Sequence, residues 1–170
     1  MNFKIVEGSI EDIKQVIELG TSIRSNMEHK EWYSIDLLKY EKILDKLHHG
    51  SILMKALDGE KMIAFLIVER YIAPTCELAK EISKEELEVS IVMDNAGVLE
   101  AYRGNHLEQK MILEAEKQMK KIDPKIKYSY ATVHPDNLAS LKSLENIGYQ
   151  RYKKKYMYGG FIRYIMKKEI

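Results

Sequence analysis

The sequence predicts an α/β fold, a mixed and mostly antiparallel sheet flanked by helices. Three observations carry that expectation. Strand-like apolar stretches are joined by hairpin-length turns at Asp58-Gly59 and Gly159-Gly160. A long seam at helical spacing, Leu107, Met111, Ala115, Met119 and Ile122, separates two other strand-like stretches, which makes a βαβ unit. The chain has 170 residues, 45 % of them hydrophobic and 31 % charged, which suits one globular domain spanning residues 1–170.

The elements follow in order. Residues 3–6 read as a short first strand. Ser9 is placed to cap a helix whose first turn carries Glu11 and Asp12, acids that suit the positive end of a helix dipole. Ile10, Ile13, Ile17 and Gly20 fall on one face of that helix with Val16 beside them, and it extends to about Asn26. Ser34 is the next cap candidate, ahead of a stripe of Leu37, Tyr40, Leu44 and Leu47 that ends at Gly50. Residues 52–57 and 61–70 are two apolar strands. Residues 71–83 are irregular, with a short helix from Glu77, and residues 88–99 form a fourth strand rich in Val and Ile. Pro124 follows the long helical seam, and residues 127–133 have the β-branched and aromatic character of a strand. Pro135-Asp136-Asn137 opens a helix that turns Leu138, Leu141 and Leu144 inward and closes at Gly148. Residues 149–158 and 161–168 make a last hairpin.

Charge and composition exclude several functions. With 27 Lys+Arg against 26 Asp+Glu the net charge is +1, too little for general nucleic-acid binding. Lys153, Lys154 and Lys155 alternate between two faces of a strand, as lysines near a sheet edge do. Tyr152, Tyr156 and Tyr158 share one face and read as core or pocket wall. The longest apolar run, residues 62–68, falls far short of a bilayer span, so no membrane partner is expected. No export signal is visible, and the lone Cys76 cannot form an internal disulfide, so a reduced, cytoplasmic setting is expected. No His or Cys pair stands at metal-ligand spacing, and no metal site is expected.

The chemistry concentrates in Val98-Leu99-Glu100-Ala101-Tyr102-Arg103-Gly104-Asn105-His106-Leu107, where a strand ends and the long helix begins. Free backbone N–H groups and the helix dipole make such a junction an anion cradle suited to a diphosphate. Gly104 permits close backbone approach, and Arg103 can add a charge-assisted contact. An ordinary tight connection is the other reading of this stretch.

One βαβ step downstream lies Thr132-Val133-His134-Pro135-Asp136-Asn137-Leu138-Ala139-Ser140, leading to Gly148-Tyr149. Together the two segments resemble the GNAT superfamily of acetyl-CoA-dependent N-acetyltransferases, and the element order fits over essentially the whole chain. The resemblance implies that the fourth and fifth strands splay apart to admit the pantetheine arm, with Val98 and Leu99 offering it backbone groups. It implies that Arg103, Gly104, Asn105, His106, Leu107 and Glu108 bind the diphosphate, mainly through backbone amides. Asn137, with Ser140 nearby, is implied to hold the pantetheine or phosphate portion.

Three positions depart from the family pattern. His106 and Glu108 stand where small residues are typical. His106 either donates to a phosphate or is simply a partly exposed histidine at a helix start. Glu108 either leans toward the phosphates or points away and favours the helix dipole. Leu144 replaces the tyrosine that protonates the departing thiolate in many relatives; Tyr149, Tyr152 and Tyr156 are neighbours that could stand in. For the base, Asp94 is the leading candidate: a carboxylate in an apolar strand, on the Val98 side if the strand is regular, needs explanation. A bulge or a solvent-facing edge explains it equally well, and Glu69 and Glu88 are alternatives. Trp32, between the first two helices, reads either as core or as acceptor-pocket wall.

The expected function is acetyl transfer from acetyl-CoA to a primary amine of a small molecule or peptide, by a monomer or homodimer. An acyl-CoA-binding regulatory module without turnover is the alternative, motivated by His106, Glu108 and Leu144.

Overall fold

The computed structural model describes residues 3–34, 38–70 and 77–170; Leu37 and Cys76 lie outside them. Seven strands form one sheet: β1 (Lys4–Glu7), β2 (Ile52–Asp58), β3 (Lys61–Glu69), β4 (Ser90–Val98), β5 (Tyr128–Val133), β6 (Gln150–Met157) and β7 (Phe161–Glu169). They lie in the order β1-β2-β3-β4-β5-β7-β6. Helices α1 (Ile13–Ser25) and α2 (Tyr40–His48) cover one face, and α4 (Leu107–Ile122) and α5 (Leu138–Glu145) the other; a short α3 (Lys84–Leu87) precedes β4.

Alternation along the strands builds both layers. Leu53, Phe65 and Ile67 point toward Ile13, Val16 and Ile23 of α1, whereas Met54, Leu66 and Ile91 point toward Met111, Ala115 and Met119 of α4. Each fully buried side chain of this kind contributes about 1.5–3 kcal/mol. Gly97 lets α1 come this close: a Cβ there would sit 2.7 Å from the Ile23 Cδ1 atom.

Four expected core positions face solvent instead. Ile10 is 48 % exposed because it lies in a 3-10 turn, residues 10–12, that Ser9 and Asp12 close with a capping box ahead of α1. The second helix begins at Tyr40, 37 % exposed, with Lys39 and not Ser34 at its cap, and Ile43 is its buried residue. Ile122 and Leu138, 63 % and 61 % exposed, sit at the ends of α4 and α5, where a helix has run past or not yet reached the sheet.

The sheet is antiparallel except between β4 and β5. Those two strands pair only from Ser90 with Tyr128 to Met93 with Ala131. Beyond that point β4 stays bonded to β3 and β5 to β7, so the two centre strands part and a cleft opens between them. A bulge marks the place: Val68 faces Met93 and Ile67 faces Asn95, which leaves Asp94 as the extra residue of β4.

Candidate functional site

A groove of about 1410 Å³ runs through the cleft between β4 and β5 to the start of α4. Asp94 and Val98 line it from β4, Arg103, Gly104, His106, Leu107 and Glu108 from the turn into α4, and Asn137 and Ser140 from the start of α5. These residues come from positions up to 46 apart in sequence, and the parting of β4 from β5 brings them together.

The α4 end is built from backbone. Gly104 has φ +81° and His106 φ +57°, both left-handed, and the chain between them turns into the helix. His106 occupies the cap position with no side-chain cap bond, so the N–H groups of the first turn of this 16-residue helix keep no side-chain acceptor. A Cβ on Gly104 would meet nothing within 4 Å, so it is the φ, not crowding, that favours glycine there. Where the resemblance implies a small residue, His106 holds a left-handed φ, which costs a residue with a β-carbon about 1–2 kcal/mol.

Two residues expected at this end do not reach the groove. Leu99 has its N–H on the Ile63 carbonyl at 3.0 Å and its own carbonyl accepting from the Tyr102 N–H at 2.9 Å, so its backbone is already committed. Asn105 turns its amide back onto the Tyr102 carbonyl at 2.9 Å and braces the turn from behind. Glu108 leans across to α5, where its Oε2 accepts from the Ser143 hydroxyl at 3.4 Å; burial there holds its carboxyl above the ordinary range. Asn137 caps α5 by accepting the Ser140 N–H at 3.2 Å, which leaves its amide nitrogen as a donor.

The other end is built from side chains. Asp94 Oδ2 accepts from the Lys46 ammonium at 2.7 Å, and Glu69 Oε2 lies 3.3 Å from the same ammonium. Burial alone would lower the lysine pKa, but the two carboxylates outweigh it and hold Lys46 above its ordinary value. The bulge at Asp94 and its place on the groove wall are therefore both real: the distortion that breaks the strand also turns the carboxylate to the cleft. Glu88, the other alternative, lies outside the groove, its carbonyl bonded to Arg70.

Over this end lies the segment before α2. Trp32 lines the groove, stacked on His29 at 4.3 Å and on His134 of the β5 end at 6.0 Å. The Ser34 carbonyl accepts from Asn95 on β4 at 2.9 Å, and the Glu31 carbonyl accepts from Arg163 on β7 at 2.7 Å. The segment thus bridges β4 and β7, which lie on opposite sides of the cleft. Tyr33 also lines the groove, and burial with Asp94 nearby raises its hydroxyl pKa.

The tyrosines of the last hairpin distribute differently from expectation. Tyr149 is buried, its hydroxyl bonded to Ser129 and to Glu116 at 3.0 Å in a core network that Lys168 completes, and burial raises its pKa well above 10. Tyr152 and Tyr156 are 44 % and 77 % exposed, because a register shift at residues 151–153 and the edge position of β6 turn them to solvent. None of the three lines the groove. Tyr158, in the turn after β6, does, with its hydroxyl 3.3 Å from Thr132 Oγ1. Lys153 and Lys155 share Glu81 on one face of β6 while Lys154 lies over Tyr164.

Lys46 and Arg163 escaped sequence reasoning, whereas Tyr158 is the pocket-wall residue that the sequence offered. Lys46 sits on a helix face that reads as solvated, and only tertiary packing joins it to Asp94. Arg163 carried a usable signal: a charge between Ile162 and Tyr164 in an apolar strand is the same anomaly as Asp94.

No protein-family model and no curated protein matches this sequence. Solved structures do. PaiA N-acetyltransferase from Thermoplasma acidophilum, in complex with coenzyme A, is 20 % identical, covers 100 % of both chains and superposes with a TM-score of 0.72. An acetyltransferase of the GNAT family from Staphylococcus aureus is 14 % identical over 99 % of each chain, with a TM-score of 0.74. AAC(6')-Ib in complex with ribostamycin and coenzyme A is 13 % identical, covers 99 % of this chain and 94 % of its own, and gives 0.72. The chain has the GNAT fold, as the two motif segments imply.

Proposed function

We propose that this protein is an N-acetyltransferase that moves an acetyl group from acetyl-CoA to a primary amine of a small molecule or peptide by direct transfer. The observation that carries the reading is the coincidence of two features in one groove. The uncapped start of α4 opens into it, and so does the parting of β4 from β5. Similar full-length folds bound to coenzyme A support it. No helix among the described residues is long and apolar enough to cross a membrane.

The residues present fit the cosubstrate. Backbone N–H groups at residues 104–109 suit a diphosphate, with Arg103 beside them and no side chain capping the helix. The Asn137 amide donor and Ser140 face the same groove from α5. Acetyl-CoA supplies an activated thioester; the chain's task is to bind it, orient the amine and remove a proton. Asp94 is assigned that proton, as the base, with Lys46 holding the carboxylate in place.

Incubation with acetyl-CoA and a panel of amines, amino acids and peptides, followed by free CoA thiol, tests the reading. Thiol release that depends on an amine is expected. Tight acetyl-CoA binding without release on any acceptor would leave a binding module, and failure to bind would remove both. Asp94→Asn is expected to lower kcat/KM by about a hundredfold, the scale of a lost general base, and most strongly at low pH. An unchanged pH–rate profile would eliminate Asp94 as the base.

A further inference from the structure

The molecule buries two arginines, and they are treated differently. Arg70 is 6 % exposed and paired with Asp123, besides the carbonyls of Glu88 and Ser90. Arg163 is 5 % exposed and has no carboxylate within ion-pair distance among the described residues. Among the described residues its hydrogen bonds go to two backbone carbonyls, Nη1 to Ile162 at 3.0 Å and Nη2 to Glu31 at 2.7 Å. A guanidinium offers five N–H donors, so most of its hydrogen-bonding capacity remains to be answered, and the Phe161 ring 5.6 Å away offers its charge a π face but no counter-ion. A buried charge without a counter-ion is costly, and such groups persist where something else supplies the partner.

Arg163 lines the groove at the end beneath Trp32 and Tyr158. Carboxylates at this end of the molecule have partners of their own, and Glu31 acts on Arg163 through space without reaching ion-pair distance. Glu31 lies 3.2 Å from His29, Glu77 accepts the Tyr158 N–H, and Asp94 and Glu69 hold Lys46. The bridging segment also limits how far Arg163 lies from Asp94. Arg163 bonds the Glu31 carbonyl and Asn95, next to Asp94, bonds the Ser34 carbonyl, and three residue steps span at most roughly 11 Å. Arg163 and Asp94 therefore share one groove and are tied to the same short segment.

We propose that Arg163 is the carboxylate-binding residue of the acceptor subsite, so that the acceptor is an amine that carries a carboxylate, such as a free amino acid. The inference rests on the acetyl-transfer reading and names its substrate class. The acceptor's amine is placed toward Asp94 and its carboxylate on the planar fork of Arg163, a geometry that a lysine does not reproduce.

Paired acceptors test it. Thiol release from acetyl-CoA is measured with free amino acids and with their C-terminal amides, on wild type and on Arg163→Gln and Arg163→Lys. The wild type is expected to prefer the free acids by about tenfold to a hundredfold in kcat/KM, the worth of a charge-assisted hydrogen bond. That ratio should fall toward one in both variants. Should the variants misfold, competition on the wild type replaces them: short carboxylates lacking an amine should inhibit competitively against the amino acid. Equal rates on acids and amides, an acid preference that survives in the variants, or no inhibition by carboxylates would overturn the assignment while leaving acetyl transfer standing. An absence of thiol release with every amine would instead overturn the reading beneath it.

Discussion

At the α4 end of the groove the donors are backbone N–H groups shaped by two left-handed residues, whereas at the Trp32 end the polar groups are side chains drawn from separate elements. Lys46 comes from α2, Glu69 from β3, Asp94 from β4 and Arg163 from β7. The difference bears on how each end responds to sequence change. A backbone donor survives a change of side chain, so His106 and Glu108 can replace small residues without removing the cradle. A side-chain cluster has no such redundancy, and one substitution takes an ionic partner from each of its neighbours.

The largest expected effect follows from that fragility. Lys46→Met leaves the Asp94 and Glu69 carboxylates, 11 % and 10 % exposed, without their ammonium, and should cost about 3 kcal/mol in urea unfolding. The sign with pH is fixed by the raised lysine pKa. On the alkaline side its contribution is fully present below 10.5 and fades as the pH rises through the higher folded value, so wild type and variant should converge in strong alkali. A cost below about 1 kcal/mol would mean that water already screens the cluster.

At the backbone end the expected effects are smaller and of opposite sign. His106→Gly relieves a left-handed β-carbon and should raise stability by about 1 kcal/mol while leaving coenzyme A affinity within about threefold. A large loss of affinity would show that the imidazole, not the backbone, makes the contact. Glu108→Gln should stabilise at pH 7 by roughly 0.5–1 kcal/mol, because burial disfavours the ionised carboxyl. Since the folded pKa lies above 4.5, the gain should disappear below that pH, where the carboxyl is protonated in both states. Thermal unfolding at the two pH values checks it.

The contrast also explains what the sequence made legible. Local signals carried the elements: the α4 seam, the Asn137 cap and the Asp58-Gly59 hairpin all rest on neighbours within one or two turns. The cradle was readable for the same reason, since strand end, glycine and helix start are contiguous. The failures are positional at helix ends, as with Ile10, Ile122 and Leu138, where periodicity continues but the sheet does not. Tyr149 misled because nearness in sequence to α5 does not bring it to the groove: it packs into the core against Glu116 of α4. The Trp32 end was half legible. A carboxylate in an apolar strand exposed Asp94, but its pairing with Lys46 spans 48 residues and no local pattern encodes it.

The division of the groove is tested most directly by following assigned resonances through two successive titrations. Coenzyme A alone should shift the backbone amides of Gly104, Leu107, Glu108 and Gln109, together with Asn137 and Ser140. The Trp32 indole and Arg163 Nε–H signals should stay in place until a carboxylate-bearing amine is added. Unmoved amides at residues 104–109 under saturating coenzyme A, or an Arg163 signal that responds to coenzyme A first, would contradict the account.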